Sequence, residues 1–271
     1  MKKKLLAFAL IGVVGLGTLY ARGSGESRAA QPAAGSLENG SYVATYSHVD
    51  SRGWQPFLMV EVVNSRIQSA RFDYVNPQGT LKTRDQGYNE RMASVSGIAP
   101  SDAFPELGIR LVESQSAPVD TVTGATSSTR WFNELADAVI AQAAVGDTSR
   151  IVLPMDQTYT AEDRPDQRGG WIGTIALTFA DGRLAAVEYD EVLRVGGQVT
   201  DRKSTNSDYA ARYAEVNGIT PAEVHEQLEA ELMSAGDPGM VDTVTGATVT
   251  STRFRRLAGE ALGKRVSADL P

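Results

Sequence analysis

Two pairs of segments alternate apolar and polar side chains on either side of a short polar turn. Trp54–Asn64 and Ile67–Val75 form the first pair, and Ile172–Ala180 and Leu184–Val192 the second, with Asp181-Gly182 as its turn. A period of two marks half-buried strands, so each pair predicts an antiparallel hairpin. Farther along, the period changes. Between Pro221 and Ser234, the residues Val224, Leu228 and Leu232 recur at helical spacing. Two more helical stretches, Arg130–Ala144 and Phe254–Arg265, close the two halves. With strands leading and helices following in each half, the predicted class is α+β: two similar domains, each an antiparallel sheet packed with helices.

The halves are copies of one unit. Gly53-Trp54 returns as Gly170-Trp171, Lys82-Thr83 as Lys203-Ser204, and Gly97-Ile98-Ala99-Pro100 as Gly218-Ile219-Thr220-Pro221. The last block is identical in both: Asp120-Thr121-Val122-Thr123-Gly124-Ala125-Thr126 and Asp242-Thr243-Val244-Thr245-Gly246-Ala247-Thr248. The offset grows from 117 to 121 to 122 residues along the chain, so short insertions separate the matched blocks. Residues 39–148 and 153–267 are the predicted domains, each of a size that folds alone.

Upstream, Met1-Lys2-Lys3-Lys4 precedes an apolar run from Leu5 to Ala21. Residues 1–21 therefore predict a secretory signal peptide or an uncleaved N-terminal anchor, since about 17–25 apolar residues suffice to span a bilayer. Residues 22–38 are rich in Gly, Ser, Ala, Gln and Pro without a hydrophobic period and predict a flexible tether. Leu19-Tyr20-Ala21-Arg22-Gly23-Ser24 resembles a bacterial lipoprotein box with Arg22 where the lipidated cysteine would stand. Without that thiol, this lipidation has no acceptor. The expected location is periplasmic or on the outer face of the cytoplasmic membrane, with membrane association through the N-terminus.

Composition narrows the chemistry. Among 271 residues, 33 are acidic and 26 basic, so the chain lacks the basic footprint that nucleic acid requires. There is no cysteine, and His48 and His225 are the two histidines. Iron–sulfur clusters, thiolate zinc sites, disulfides and c-type haem attachment are excluded, leaving an organic cofactor as the carrier of any electrons. Neither histidine has a counterpart in the other half, and no Gly-x-Ser-x-Gly elbow occurs, so hydrolytic catalysis has little support. No catalytic residue and no metal ligand set is expected.

Gly124 and Gly246 stand where a tight turn would lead into each closing helix, with neighbouring Thr and Ser side chains able to cap its first turn. Such a turn exposes backbone N–H groups at the positive end of the helix dipole, a ready site for a phosphate.

The doubled Asp-Thr-Val-Thr-Gly-Ala-Thr resembles the flavinylation motif of the bacterial FMN-binding domain. That domain occurs in flavin subunits of the sodium-translocating NADH:quinone oxidoreductase, in related ferredoxin:NAD oxidoreductase complexes, and in exported flavoproteins of extracellular electron transfer. The resemblance spans both repeats, although its specific part is the short terminal block. It implies FMN joined by a phosphoester to Thr126 and to Thr248, two per chain. It also implies an exported flavin transferase as maturation partner, using FAD as donor with magnesium, and membrane or exported redox partners afterwards. By the same carry-over Asp120 and Asp242 fill the acidic position, Thr123 and Thr245 the inner threonine, and Gly124-Ala125 and Gly246-Ala247 the small-residue turn.

After the motif the copies diverge, Ser127-Ser128-Thr129 against Val249-Thr250-Ser251, which leaves neighbouring hydroxyls as rival acceptors. Lys82 and Lys203 hold equivalent positions, where a cation beside the flavin would stabilise its anionic reduced form. Ordinary solvated lysines explain them as well. Trp54 and Trp171 suit strand packing better than flavin stacking. The function expected is an exported two-flavin electron carrier. Its rival is a non-redox exported binding or surface protein in which the duplicated turn is structural. A reductase of a specific acceptor such as fumarate is a third reading, against which stands the lack of a second catalytic domain.

Overall fold

A computed structural model describes residues 37–271 apart from Gln167 and Arg168. The expected signal or anchor segment, 1–21, and the tether as far as residue 36 lie outside the described residues. The first repeat runs β1 (Gly40–Tyr46), β2 (Gln55–Val63), β3 (Arg66–Val75), α1 (Gln86–Ser96), α2 (Pro100–Ser114) and α3 (Thr126–Ala143). A short strand, β4 (Ile151–Leu153), leads into β5 (Thr158–Glu162), β6 (Ile172–Ala180), β7 (Arg183–Val195), β8 (Gln198–Arg202), α4 (Ser207–Asn217), α5 (Pro221–Ala235) and α6 (Thr248–Leu262). The protein is α+β, with helices packed on two four-stranded sheets, ordered β3-β2-β1-β4 and β5-β6-β7-β8.

Both central hairpins turn through two residues of positive φ, Asn64 and Ser65 in one and Asp181 and Gly182 in the other. This geometry matches the twist of paired strands and pins their register. The same irregularity follows in each, between Glu61 and Val62 and between Thr178 and Phe179. The growth of the offset has a structural cause. Where the first repeat closes with a single bridge from Val75 to Leu81, the second extends β7 and turns at Gly196-Gly197 into β8.

Each sheet buries one face under its helices. Leu58, Phe72, Leu107, Phe132 and Leu135 make the first core, and Leu177, Leu228, Phe254 and Leu257 the second. The repeats also interlock. β4, which follows the first repeat in sequence, pairs parallel to β1. The Tyr159 hydroxyl donates to the Val49 carbonyl at 2.6 Å. Beyond α6 the chain crosses to the other face of the first sheet, where Val49 N–H meets the Val266 carbonyl and Ala268 N–H meets the Gln55 side chain. Ala268 and Leu270 there cover Phe57, Val75 and Leu81. The second sheet has Thr174 and Ala176 at the positions of Phe57 and Met59, a surface that needs no such cover.

Candidate functional site

The two copies of the motif fold alike. Ala125 N–H donates to the Val122 carbonyl at 2.9 Å, and Ala247 N–H to the Val244 carbonyl at 2.9 Å, closing a four-residue turn whose third member is Gly124 or Gly246. Both glycines have φ of +81°, the type II arrangement that excludes side chains at this position. Space excludes them too. A Cβ on Gly246 would lie 2.6 Å from the Asn217 carbonyl oxygen, and one on Gly124 would fall well inside 3.0 Å of the Ser96 carbonyl oxygen. The turn thus rests directly on the C-terminal end of α1 or α4.

A buried hydroxyl locks each turn from behind. Thr129 Oγ1 donates to the Ala125 carbonyl at 3.0 Å and accepts from Val122 N–H at 3.3 Å; Ser251 Oγ repeats this with Ala247 and Val244 at 2.9 and 3.1 Å. Thr129, one of the rival acceptors, is therefore buried and engaged. Thr126 and Thr248 are exposed and are the first residues of α3 and α6, so these helices start four to six residues earlier than their hydrophobic pattern suggests. The expected side-chain capping is not found. Ala125 and Ala247 occupy the cap position with no side-chain hydrogen bond, whereas Asp85, Asn206 and Thr220 cap α1, α4 and α5. The first turns of α3 and α6 thus lack a side-chain cap and begin at an exposed hydroxyl.

Thr123 and Thr245 are exposed within the turns, and Ala125 and Ala247 are buried beneath them. Asp120 and Asp242 are exposed; Arg110 donates to the Asp120 carbonyl, and the Asp242 N–H donates to Glu231.

The lysines are not solvated. Lys82 is 6% exposed, with its ammonium 3.9 Å from the ring centre of Tyr74, 4.9 Å from Tyr88 and 5.3 Å from Trp54. Burial lowers its pKa to about 8, against the opposing pull of Asp50. Lys203 also faces two rings, Trp171 and Tyr209, but pairs with the buried carboxylate of Glu191. Burial works against its charge, and Glu191 outweighs burial, so its pKa is raised. Matching carboxylates position both segments. Asp73 accepts from the Thr83 hydroxyl and Asp190 from the Ser204 hydroxyl, each at 2.5 Å. The partners of each lysine also reach the motif helix: Tyr74 bonds Ser128 at 3.3 Å, and Glu191 bonds Thr250 at 3.5 Å and Arg253 at 3.2 Å.

No family model matches the chain. A 118-residue stretch, about one repeat in length, is 37% identical to the 15 kDa lipoprotein of Treponema pallidum (strain Nichols), covering 43% of this chain and 84% of that protein. The chain belongs to the family of that lipoprotein. Among solved structures, it is similar to a Clostridium perfringens protein at 34% identity, over 44% of this chain and 99% of that one, with a TM-score of 0.44. A Clostridium thermocellum protein solved by NMR matches at 24% identity, over 42% of this chain and 94% of that one, with a TM-score of 0.29.

Within this family member the neighbourhoods of the two motifs differ. A cavity of about 600 Å³ adjoins Thr248 and is lined by Val249, Thr252, Arg253, Arg256, Asp163 and Arg164, among others. Arg253 bridges Asp163 at 3.0 Å and Glu191 at 3.2 Å. In the first repeat the position of Arg253 holds Trp131, whose ring centre lies 5.3 Å from that of Tyr46 and 6.0 Å from that of Tyr74. His225 is buried against Tyr189 and 3.6 Å from Asp190, and burial lowers its pKa. His48 bonds Ser47 and Arg265 at the contact between repeats. Sequence reasoning missed Asp73 and Asp190, although the pair recurs at the offset of its block, and took Thr129 and Ser251 as rival acceptors where the fold uses them to lock the turns. Among the described residues no helix is long and apolar enough to cross a membrane, and no cluster of acidic or histidine side chains suits a metal ion.

Proposed function

We propose that the protein is an exported electron carrier with one FMN esterified to Thr126 and one to Thr248. The carrying observation is the same exposed hydroxyl in both repeats, set as the first residue of a helix with no side-chain cap, behind a glycine turn that rests on backbone. The donor set fits a phosphate. First-turn N–H groups without a side-chain cap and the helix dipole favour the added negative charge, and the threonine is exposed to a modifying enzyme. Thr126 and Thr248 would hold the phosphate; Lys82 with Trp54 and Tyr88, and Lys203 with Trp171 and Tyr209, are the nearby cation and rings for the isoalloxazine. The bound flavin would supply one- and two-electron redox chemistry, and the chain's role is to hold and tune it. Kinship with a protein named a lipoprotein supports export and a place at a membrane surface. Arg22 cannot accept the lipid, so attachment rests on the N-terminal apolar run.

The test is intact mass under denaturing conditions after co-expression with a flavin transferase, FAD and magnesium. Two added FMN phosphoester units are expected, falling to one in Thr126→Ala or Thr248→Ala. No added mass, with the transferase proven active on another substrate, would leave the duplicated turn as structural and favour a non-redox surface protein.

A further inference from the structure

Superposing the repeats by their strand registers and helix positions places Tyr46, Tyr74, Phe104 and Trp131 of the first where Asp163, Glu191, His225 and Arg253 stand in the second. In the first repeat these four side chains form one aromatic cluster. Tyr74 lies 5.2 Å from Phe104 and 6.0 Å from Trp131, and Tyr46 lies 5.3 Å from Trp131. In the second, three of them form an ionic network in which Arg253 binds both Asp163 and Glu191, and Glu191 binds Lys203, while His225 packs on Tyr189. The surrounding core has kept its apolar character: Leu58, Leu107, Phe132 and Leu135 correspond to Ile175, Leu228, Phe254 and Leu257. The exchange is confined to the face between the lysine and the motif helix.

The electrostatic consequence follows from the pairs in contact. Lys82 is surrounded by ring faces, and no carboxylate lies within ion-pairing distance among the bridges of the described residues. The nearest acids are occupied: Asp50 accepts from the Arg52 and Trp54 amides, and Asp73 from Tyr74 N–H and Thr83. Lys203 is matched by Glu191, which is 1% exposed and reaches Thr250 on the motif helix. With His225 neutral, the four exchanged positions add one net negative charge to the second repeat. Asp190, Arg202, Asp166 and Arg256 are further charged neighbours.

The geometry points to two electrostatically unequal sites, with the flavin on Thr126 at the higher midpoint potential and the flavin on Thr248 at the lower. This inference rests on the proposed flavin attachment. Two-electron reduction from an electrode with uptake of one solvent proton leaves a negative charge on the ring. An ammonium with no carboxylate in contact favours that charge, and a buried carboxylate opposes it.

The experiment uses the full chain, matured by a transferase, as two single-flavin proteins: Thr248→Ala, which keeps the Thr126 flavin, and Thr126→Ala, which keeps the other. Mass is measured first, because a failure to load flavin removes the carrier reading itself. Loaded proteins are then titrated by spectroelectrochemistry. The Thr126 flavin is expected at the higher potential; Lys82→Met should lower it, and Glu191→Gln should raise the potential of the Thr248 flavin towards it. Circular dichroism verifies folding, and Lys82→Arg, which keeps the cation, should restore the higher potential if Lys82→Met loses structure as well as charge. Equal or reversed potentials in two loaded, folded proteins, or a Thr126 flavin indifferent to the charge at residue 82, would overturn the inference while leaving the carrier intact.

Discussion

Substituting Gly124 by alanine tests whether the motif turn is held by backbone conformation, by contact, or by both. At φ +81° an alanine pays the left-handed penalty of roughly 1–2 kcal/mol. Its Cβ would also meet the Ser96 carbonyl oxygen well inside 3.0 Å, and that atom is backbone at the end of α1 and cannot swing away. Overpacking of this kind costs about 1–3 kcal/mol. Two other glycines separate the contributions. Gly97 has the same φ of +81° with nothing within 4 Å of a Cβ, and Gly108 lacks positive φ but faces the Ala70 carbonyl at comparably short range. Gly97→Ala should therefore cost about 1 kcal/mol, Gly108→Ala about 2 kcal/mol, and Gly124→Ala about 3–4 kcal/mol.

Urea unfolding followed by circular dichroism measures all three, with equal m-values required before midpoints are compared. If Gly124→Ala lies within about 0.5 kcal/mol of Gly97→Ala, the size at which distant effects cease to be distinguishable, then the turn does not rest on α1 and the packing argument fails.

Two further predictions concern the groups behind the turn. Lys82 has a folded pKa of about 8 against 10.5 unfolded, so between these values the unfolded chain holds a proton that the folded chain lacks, and stability rises with pH across that window. Below pH 8 the buried charge costs up to about 3 kcal/mol. The difference in unfolding free energy between the protein and Lys82→Met, followed from pH 7 to 11, should narrow accordingly, and a flat difference would contradict the burial of the charge. Thr129→Ala strips the Val122 N–H of its buried acceptor and should cost about 1–3 kcal/mol. Thr129→Ser, which reproduces the natural arrangement at Ser251, should recover most of that in the same urea assay.

The hairpins were legible because alternation and the turn residues Asn64-Ser65 and Asp181-Gly182 act locally, and α5 because its apolar stripe follows a capping box at Thr220 and Glu223. β1 and β5 gave a weaker signal: they are short and flank loops whose polarity interrupts the alternation. The starts of α3 and α6 were placed late because Thr126–Thr129 carries hydroxyls that usually favour caps and turns, whereas here one hydroxyl is spent on the turn behind. The burial of Lys82 was not legible at all. It depends on three rings from β3, α1 and the strand entry at Trp54, which only the fold brings together.

Duplication explains why the motif kept its form while its surroundings did not. Each turn is held by a positive-φ glycine, a backbone contact and a buried hydroxyl, so a change there loses interactions that the flanking face does not share. The face beside it is not so constrained. An aromatic cluster can be replaced by an ionic one provided every charge acquires a partner, because a buried charge left alone costs far more than a buried ring gained. Arg253 meets that condition by reaching Asp163 and Glu191 together, and Lys203 by taking the other oxygen of Glu191. Trp131→Arg alone would place a guanidinium among Tyr46 and Tyr74, where the carboxylate at hand is Glu134, which already accepts from the Tyr46 hydroxyl. The two repeats thus hold the motif turn constant while the side chains beside its helix are aromatic in one and charged in the other.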